Sequence, residues 1–100
     1  MKRISILGAT GSIGTSCLDV IRTHPESMKL WGCSCHSKWR ELAAICQEFQ
    51  PKIAIIGDES IREACDLTSF PGNTKVFFGT AALGEICTHP DVDVVVSAIV

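Results

Sequence analysis

Apolar and polar positions along this chain switch repeatedly between a period of two and a period near three and a half. Lys2 to Leu7 is a short, β-rich apolar run, and Ser12 to Thr23 then sets Ile13, Cys17, Val20 and Ile21 on one helical face. His24-Pro25 ends that helix, because the residue before a proline is pushed out of helical backbone angles. Met28 to Cys35 reads as a second strand. Lys38 to Phe49 predicts a second helix, with Trp39, Leu42, Ala43, Cys46 and Phe49 forming a core-facing stripe. Lys52 to Ile56 predicts a third strand and Gly57-Asp58 a turn and helix start. A shorter helix follows over Ser60 to Thr68, a fourth strand over Asn73 to Phe78, a short helix over Thr80 to Cys87 and a fifth strand over Asp93 to Val100.

Strands alternating with helices in this way require crossover connections, and therefore a parallel sheet covered on both faces. Near-continuous apolar strands such as "VDVVVSAIV", Val92 to Val100, fit burial of that kind. The expected class is α/β, a doubly wound, Rossmann-like parallel sheet with strand one central and spatial order 3-2-1-4-5. A chain of 100 residues allows one domain with a modest core. Because it stops on a strand expected to be interior, it is expected to be a fragment truncated after strand five.

Between strand one and helix one lies "GATGSIG", Gly8 to Gly14. Three glycines spaced three apart are unfavourable unless bare backbone is needed there. In a doubly wound sheet this turn aims the first amides of its helix at the crevice, where unpaired N–H groups and the helix dipole favour a phosphate. Gly8 permits the turn, Gly11 lets backbone approach a pyrophosphate, and Gly14 lets the helix pack closely. The spacing G-x-x-G-x-x-G is a variant of the dinucleotide fingerprint. Thr10 and Ser12 offer hydroxyl donors, and each serves equally well as a helix-capping residue.

An acidic residue about 20 positions past the glycines would hold the ribose 2′-hydroxyl of NAD. That place reads "SCHSKWR", Ser34 to Arg40, and has no acid before Glu41. His36, Ser37 and Lys38 suit a 2′-phosphate instead, which implies NADP(H); a solvated basic helix start is the plainer alternative. Lys38 is the first choice for the charge contact and Ser37 for a hydrogen bond, whereas Arg40 can simply point away. Asp19, Asp58 and Asp66 fall on expected helices or their starts, where solvation or capping accounts for them.

Composition changes this picture little. A net charge of −2, with 46% hydrophobic and 20% charged residues, gives no basic footprint for nucleic acid or an anionic membrane. The basic residues of the first segment lead into the glycine loop, not an apolar stretch with a cleavage site, so no signal peptide is expected. The longest apolar run falls far below the roughly 20 residues of a membrane span, and a cytoplasmic location is expected. Six cysteines match no secreted disulfide framework, and the period-two spacing of Cys33 and Cys35 makes them small buried hydrophobes on one strand face.

"ISILGATGSIGTSCLDVIRTHPE", "CQEFQPKIAIIGDE" and the terminal "DVDVVVSAIV" together resemble the 1-deoxy-D-xylulose 5-phosphate reductoisomerase family over the whole chain. The resemblance implies an enzyme of non-mevalonate isoprenoid biosynthesis that rearranges this sugar phosphate. It then reduces the aldehyde intermediate with NADPH to 2-C-methyl-D-erythritol 4-phosphate. The family uses Mg²⁺ or Mn²⁺ and works as a homodimer, with metal ligands and substrate-phosphate residues in a part of its chain that begins after Val100. Residues 1–100 would then be the NADPH-binding domain. The family's cofactor loop falls on Thr10, Gly11, Ser12 and Ile13, its adenosine-phosphate corner on His36, Ser37 and Lys38, and the nicotinamide side of the crevice on Ala98 and Ile99. The family usually has glycine where His36 stands. Two other readings share the glycine loop: another NADP-linked dehydrogenase or reductase, and a non-catalytic NADP-sensing module.

Overall fold

The computed structural model describes residues 1–98 and contains one sheet of five strands, all paired in parallel. The strands are β1 (Lys2–Leu7), β2 (Met28–Cys35), β3 (Ile53–Ile56), β4 (Lys75–Phe78) and β5 (Val94–Ser97), and the helices are α1 (Ser12–Thr23), α2 (Trp39–Phe49) and α3 (Leu83–Thr88). Helices α1 and α2 cover one face of the sheet. Their Leu18, Ile21, Leu42, Ala43 and Cys46 pack with Ile4, Ile6, Cys33, Ala54 and Ile56 from the strands. On the other face α3 brings Ile86 against Trp31 and Ile55. Apolar strands buried on both faces are what a parallel sheet between helices demands.

The strand order is β4-β3-β2-β1-β5, which corrects the expected 3-2-1-4-5 in one respect. The β3-β2-β1 half is as read, but β4 extends the sheet beyond β3 and β5 takes the place beside β1. Among the described residues β4 and β5 are the two edge strands. In β4, Lys75 and Phe77 are exposed while Val76 and Phe78 are half-buried, the one-sided pattern of an edge strand. The valine-rich β5 instead pairs with β1 from Ile4↔Val94 to Leu7↔Ser97. Between β1 and β2 the register shifts after Ile4↔Leu30, because Trp31 is an extra residue that turns its ring to the α3 face.

The shorter elements also differ from expectation. Ser60 to Thr68 forms no α-helix; it is two 3₁₀ turns, Glu59–Ile61 and Leu67–Ser69. Each is started by an aspartate whose carboxylate accepts from the backbone two residues on, Asp58 from Ser60 and Asp66 from Thr68, both at 3.0 Å. Such local bonds give the backbone an alternative to helix propagation. The helix expected over Thr80 to Cys87 is a 3₁₀ turn, Thr80–Ala82, running into α3. In α1 the buried positions are Gly14, Leu18 and Ile21, whereas Ile13 and Val20 are exposed. The face is rotated because Gly14 must sit against the preceding turn.

Candidate functional site

The geometry begins at Gly8, which leaves β1 with φ +79°, a left-handed angle that glycine adopts without strain. Two bonds fasten the turn to β2: Gly8 N–H donates to Ser34 Oγ at 3.1 Å, and Ala9 N–H to the Ser34 carbonyl at 2.8 Å. Ala9 is fully buried, so the loop is held from beneath. Gly14 then explains the third glycine of the motif. A Cβ there would lie 2.7 Å from Ala9 Cα and closer still to the Gly8 carbonyl oxygen, so α1 approaches the loop backbone more tightly than any side chain permits.

Gly11 is different. It is the N-cap of α1 in extended conformation, and a Cβ built on it would meet only the Gly8 carbonyl oxygen, at an ordinary 3.6 Å. The protein itself leaves room at this position. No side chain caps α1, and among the described residues the amides of Ser12, Ile13 and Gly14 donate to nothing; the first bond into the helix is Thr15 N–H to the Gly11 carbonyl, at 2.9 Å. Three unpaired donors at the positive end of a 12-residue helix can receive an anion such as a phosphate.

A cleft of about 340 Å³ opens beside this loop, lined by Gly8, Thr10, Gly11, Ser34, Cys35, His36, Gly57, Thr80, Leu83 and Ala98. It lies at the carboxyl ends of the strands and next to the β1/β5 pair, where the chain order reverses and doubly wound sheets bind ligands. Ala98 is brought there by its N–H donating to the Leu7 carbonyl at 2.8 Å. The exposed His36 stands at the lip; its carbonyl accepts from Asp58 N–H at 2.9 Å, which ties the end of β2 to the turn after β3. The Asp58 carboxyl is held below the usual carboxylate range, mainly by the Ser60 hydroxyl and amide, with the His36 charge a lesser contributor. Asp58 and Asp66 are thus caps, and Asp19 pairs with Arg22, so none of the three faces the cleft as an acid or base.

Ser37 and Lys38 line a second cavity, of about 220 Å³, with Trp39, Arg40 and Glu41 around the start of α2. The two linings share no residue but include the consecutive residues His36 and Ser37. The structure therefore gathers Gly8, Thr10, Gly11, His36 and Ala98 around one cleft and sets Ser37 and Lys38 next to it. Ser12 and Ile13 are exposed on the first turn of α1 without lining it, and Ile99 lies outside the described residues. Ser34, Cys35, Gly57, Thr80 and Leu83 were not expected in the lining. Ser34 is legible only in hindsight, as a hydroxyl one strand away from a turn needing a hydrogen-bond acceptor. Among the described residues no three His, Cys, Asp or Glu side chains come together as a metal centre.

A family model described as 1-deoxy-D-xylulose 5-phosphate reductoisomerase matches residues 4–100. The chain belongs to that family. Reductoisomerases of Ralstonia pickettii and Bacillus cereus are 40% identical over 102 residues and 42% over 100 residues, in each case over 100% of this chain and 26% of the relative. The chain thus spans about a quarter of the length of the curated reductoisomerases it matches. A crystal structure of a reductoisomerase in complex with NADPH, fosmidomycin and magnesium superposes with a TM-score of 0.82 at 31% identity, over 99% of this chain and 24% of that one. The Zymomonas mobilis reductoisomerase in complex with NADPH gives 0.80 at 26% identity, over 90% of this chain and 24% of its own. Both likenesses exceed what fold alone requires, and the reductoisomerase family accounts for the glycine loop, the α/β sheet and the apolar β5 together.

Proposed function

We propose that residues 1–100 are the NADPH-binding domain of an enzyme that isomerises 1-deoxy-D-xylulose 5-phosphate and reduces the product to 2-C-methyl-D-erythritol 4-phosphate. The observation that carries the reading is the uncapped N-terminus of α1, three unpartnered amides behind a loop whose central glycine leaves space open. These residues fit a pyrophosphate. The Ser12, Ile13 and Gly14 amides would donate to it, Thr10 and Ser12 would add hydroxyls, and Gly11 would keep the approach clear. His36, Ser37 and Lys38 would receive the adenosine end and its 2′-phosphate. Ala98 and Ile99, at the end of β5, would border the nicotinamide side of the cleft.

Bound NADPH supplies the hydride. What this chain contributes is position: a rigid turn bonded to Ser34, a dipole aimed at negative charge, and a crevice floor of buried backbone that keeps water from beneath the cofactor. Polarising a hydroxyketone phosphate calls for a divalent cation such as Mg²⁺ or Mn²⁺, held by converging carboxylates. We assign those ligands to the remaining length of the relatives, and with them the substrate pocket. We further propose a homodimeric, cytoplasmic enzyme; no helix among the described residues is long and apolar enough to cross a membrane.

The test is turnover. The full-length protein, given 1-deoxy-D-xylulose 5-phosphate, NADPH and Mg²⁺, is expected to consume the reduced nicotinamide in a metal-dependent manner, while residues 1–100 alone do not. Absence of turnover by the full-length protein would overturn the enzymatic reading. Metal-dependent turnover by the 100-residue chain would show that the catalytic groups lie within it.

A further inference from the structure

Arg40 has no assigned role, and like Arg22 over Phe49 and Arg62 over Phe78 it lies over an aromatic ring. Its guanidinium carbon lies 4.8 Å from the centroid of the Trp39 ring, and Trp39 is itself packed against the core beneath α2. Among the described residues neither Arg40 nor Lys38 takes part in an ion pair, whereas Arg3 and Arg22 each engage carboxylates. Arg40 also lines the 220 Å³ cavity at the start of α2, together with Ser37, Lys38, Trp39 and Glu41. Side chains in the first turn of a helix lean back toward its N-terminus, so a residue at the second position of α2 reaches over Ser37 and Lys38.

A guanidinium whose one face rests on a fixed indole leaves its other face and its fork of N–H donors free. That is a shelf for a second flat, electron-rich ring, with charge-assisted donors along its edge. A purine carrying a phosphate on the neighbouring ribose satisfies both. We infer that Arg40, laid on Trp39, stacks under the adenine of NADPH and joins Lys38 as the second cation at its 2′-phosphate. Glu41 is the one acid in this cavity, and the two cations outweigh it. The inference rests on the cofactor reading above and names a specificity-determining residue within it.

Dissociation constants for NADPH and NADH, measured on the full-length protein, test it. Arg40→Ala should weaken NADPH by about twentyfold or more and NADH by only about two- to fourfold, lowering the preference for NADPH by at least about fivefold. Arg40→Lys keeps the charge but not the plane. It should recover most of the preference for NADPH while leaving NADH binding weakened. Thermal melting of both variants should match the unsubstituted protein, since the side chain is exposed. A preference that moves less than about fivefold in Arg40→Ala would overturn the role of Arg40. Full recovery of NADH affinity by Arg40→Lys would overturn the stacking part. Failure of the unsubstituted protein to bind NADPH would overturn the cofactor reading and this inference with it.

Discussion

Two glycines three residues apart in one loop do opposite physical work. At Gly14 the fold itself excludes a side chain, because α1 lies against the backbone of Gly8 and Ala9. Gly14→Ala should therefore destabilise the protein by about 1–3 kcal/mol, read as a drop in melting temperature; an unchanged melt would mean that helix and loop separate freely. At Gly11 the fold has room for a Cβ, and under the proposed function the approach of the ligand is the reason for the glycine. The motif already assigned Gly14 to helix packing and Gly11 to a pyrophosphate; the structure bears out the first and shows open space at the second. The thiols follow the same logic of burial. Cys33 and Cys46 are fully buried with sulfurs 3.8 Å apart; their mutual contact and burial raise the Cys33 thiol, and burial pushes Cys35 up to about 12. A neutral thiol is a poor nucleophile. Maleimide at neutral pH should modify the half-buried Cys17 and Cys87 of this chain well before Cys33, Cys35 and Cys46, as mass spectrometry of the native and unfolded chain would show. Equal rates in the native state would contradict the packed core.

At the scale of elements, α1 and α2 were legible in extent because each has a long apolar period and His24-Pro25 ends the first; the buried face of α1 was not, since Ile13 and Val20 are exposed. Residues 60–68 misled because Asp58 with Ser60 and Asp66 with Thr68 close tight local turns that compete with a helix of weak apolar period. Strand order was half legible. Periodicity identifies each strand but not its neighbour, and β4 and β5, the two edge strands among the described residues, are both largely exposed. The start of α2 carries its own prediction. Lys38 caps that helix without any side-chain hydrogen bond, in the cavity next to His36. If Lys38 meets the 2′-phosphate as proposed, Lys38→Asp removes a charge-assisted contact of about 1.5–3 kcal/mol and sets a carboxylate toward that phosphate. The ratio of NADH to NADPH dissociation constants should fall by about tenfold or more. A ratio within about twofold of the unsubstituted protein would place the 2′-phosphate elsewhere.

At the scale of the whole molecule, these parts converge because the strands are parallel. Every strand delivers its carboxyl end to the same rim, so the glycine loop after β1, His36 after β2, Gly57 after β3, Thr80 after β4 and Ala98 after β5 border one cleft. The sequence could name the residues of the loop and of the basic corner, since local spacing carries their chemistry. It could not name Thr80 or Leu83, which reach the cleft only through the placement of β4 and the turn that follows it. Whether this rim holds a dinucleotide by its pyrophosphate at Gly11 is read by titrating NADPH into the full-length protein and its Gly11→Val variant, with thermal melts of both. The open space around Gly11 predicts an unchanged melt and an affinity lower by at least about a hundredfold, because the branched side chain fills the approach to the unpaired amides of α1. An intact variant that binds NADPH within about twofold of the unsubstituted protein would contradict the account.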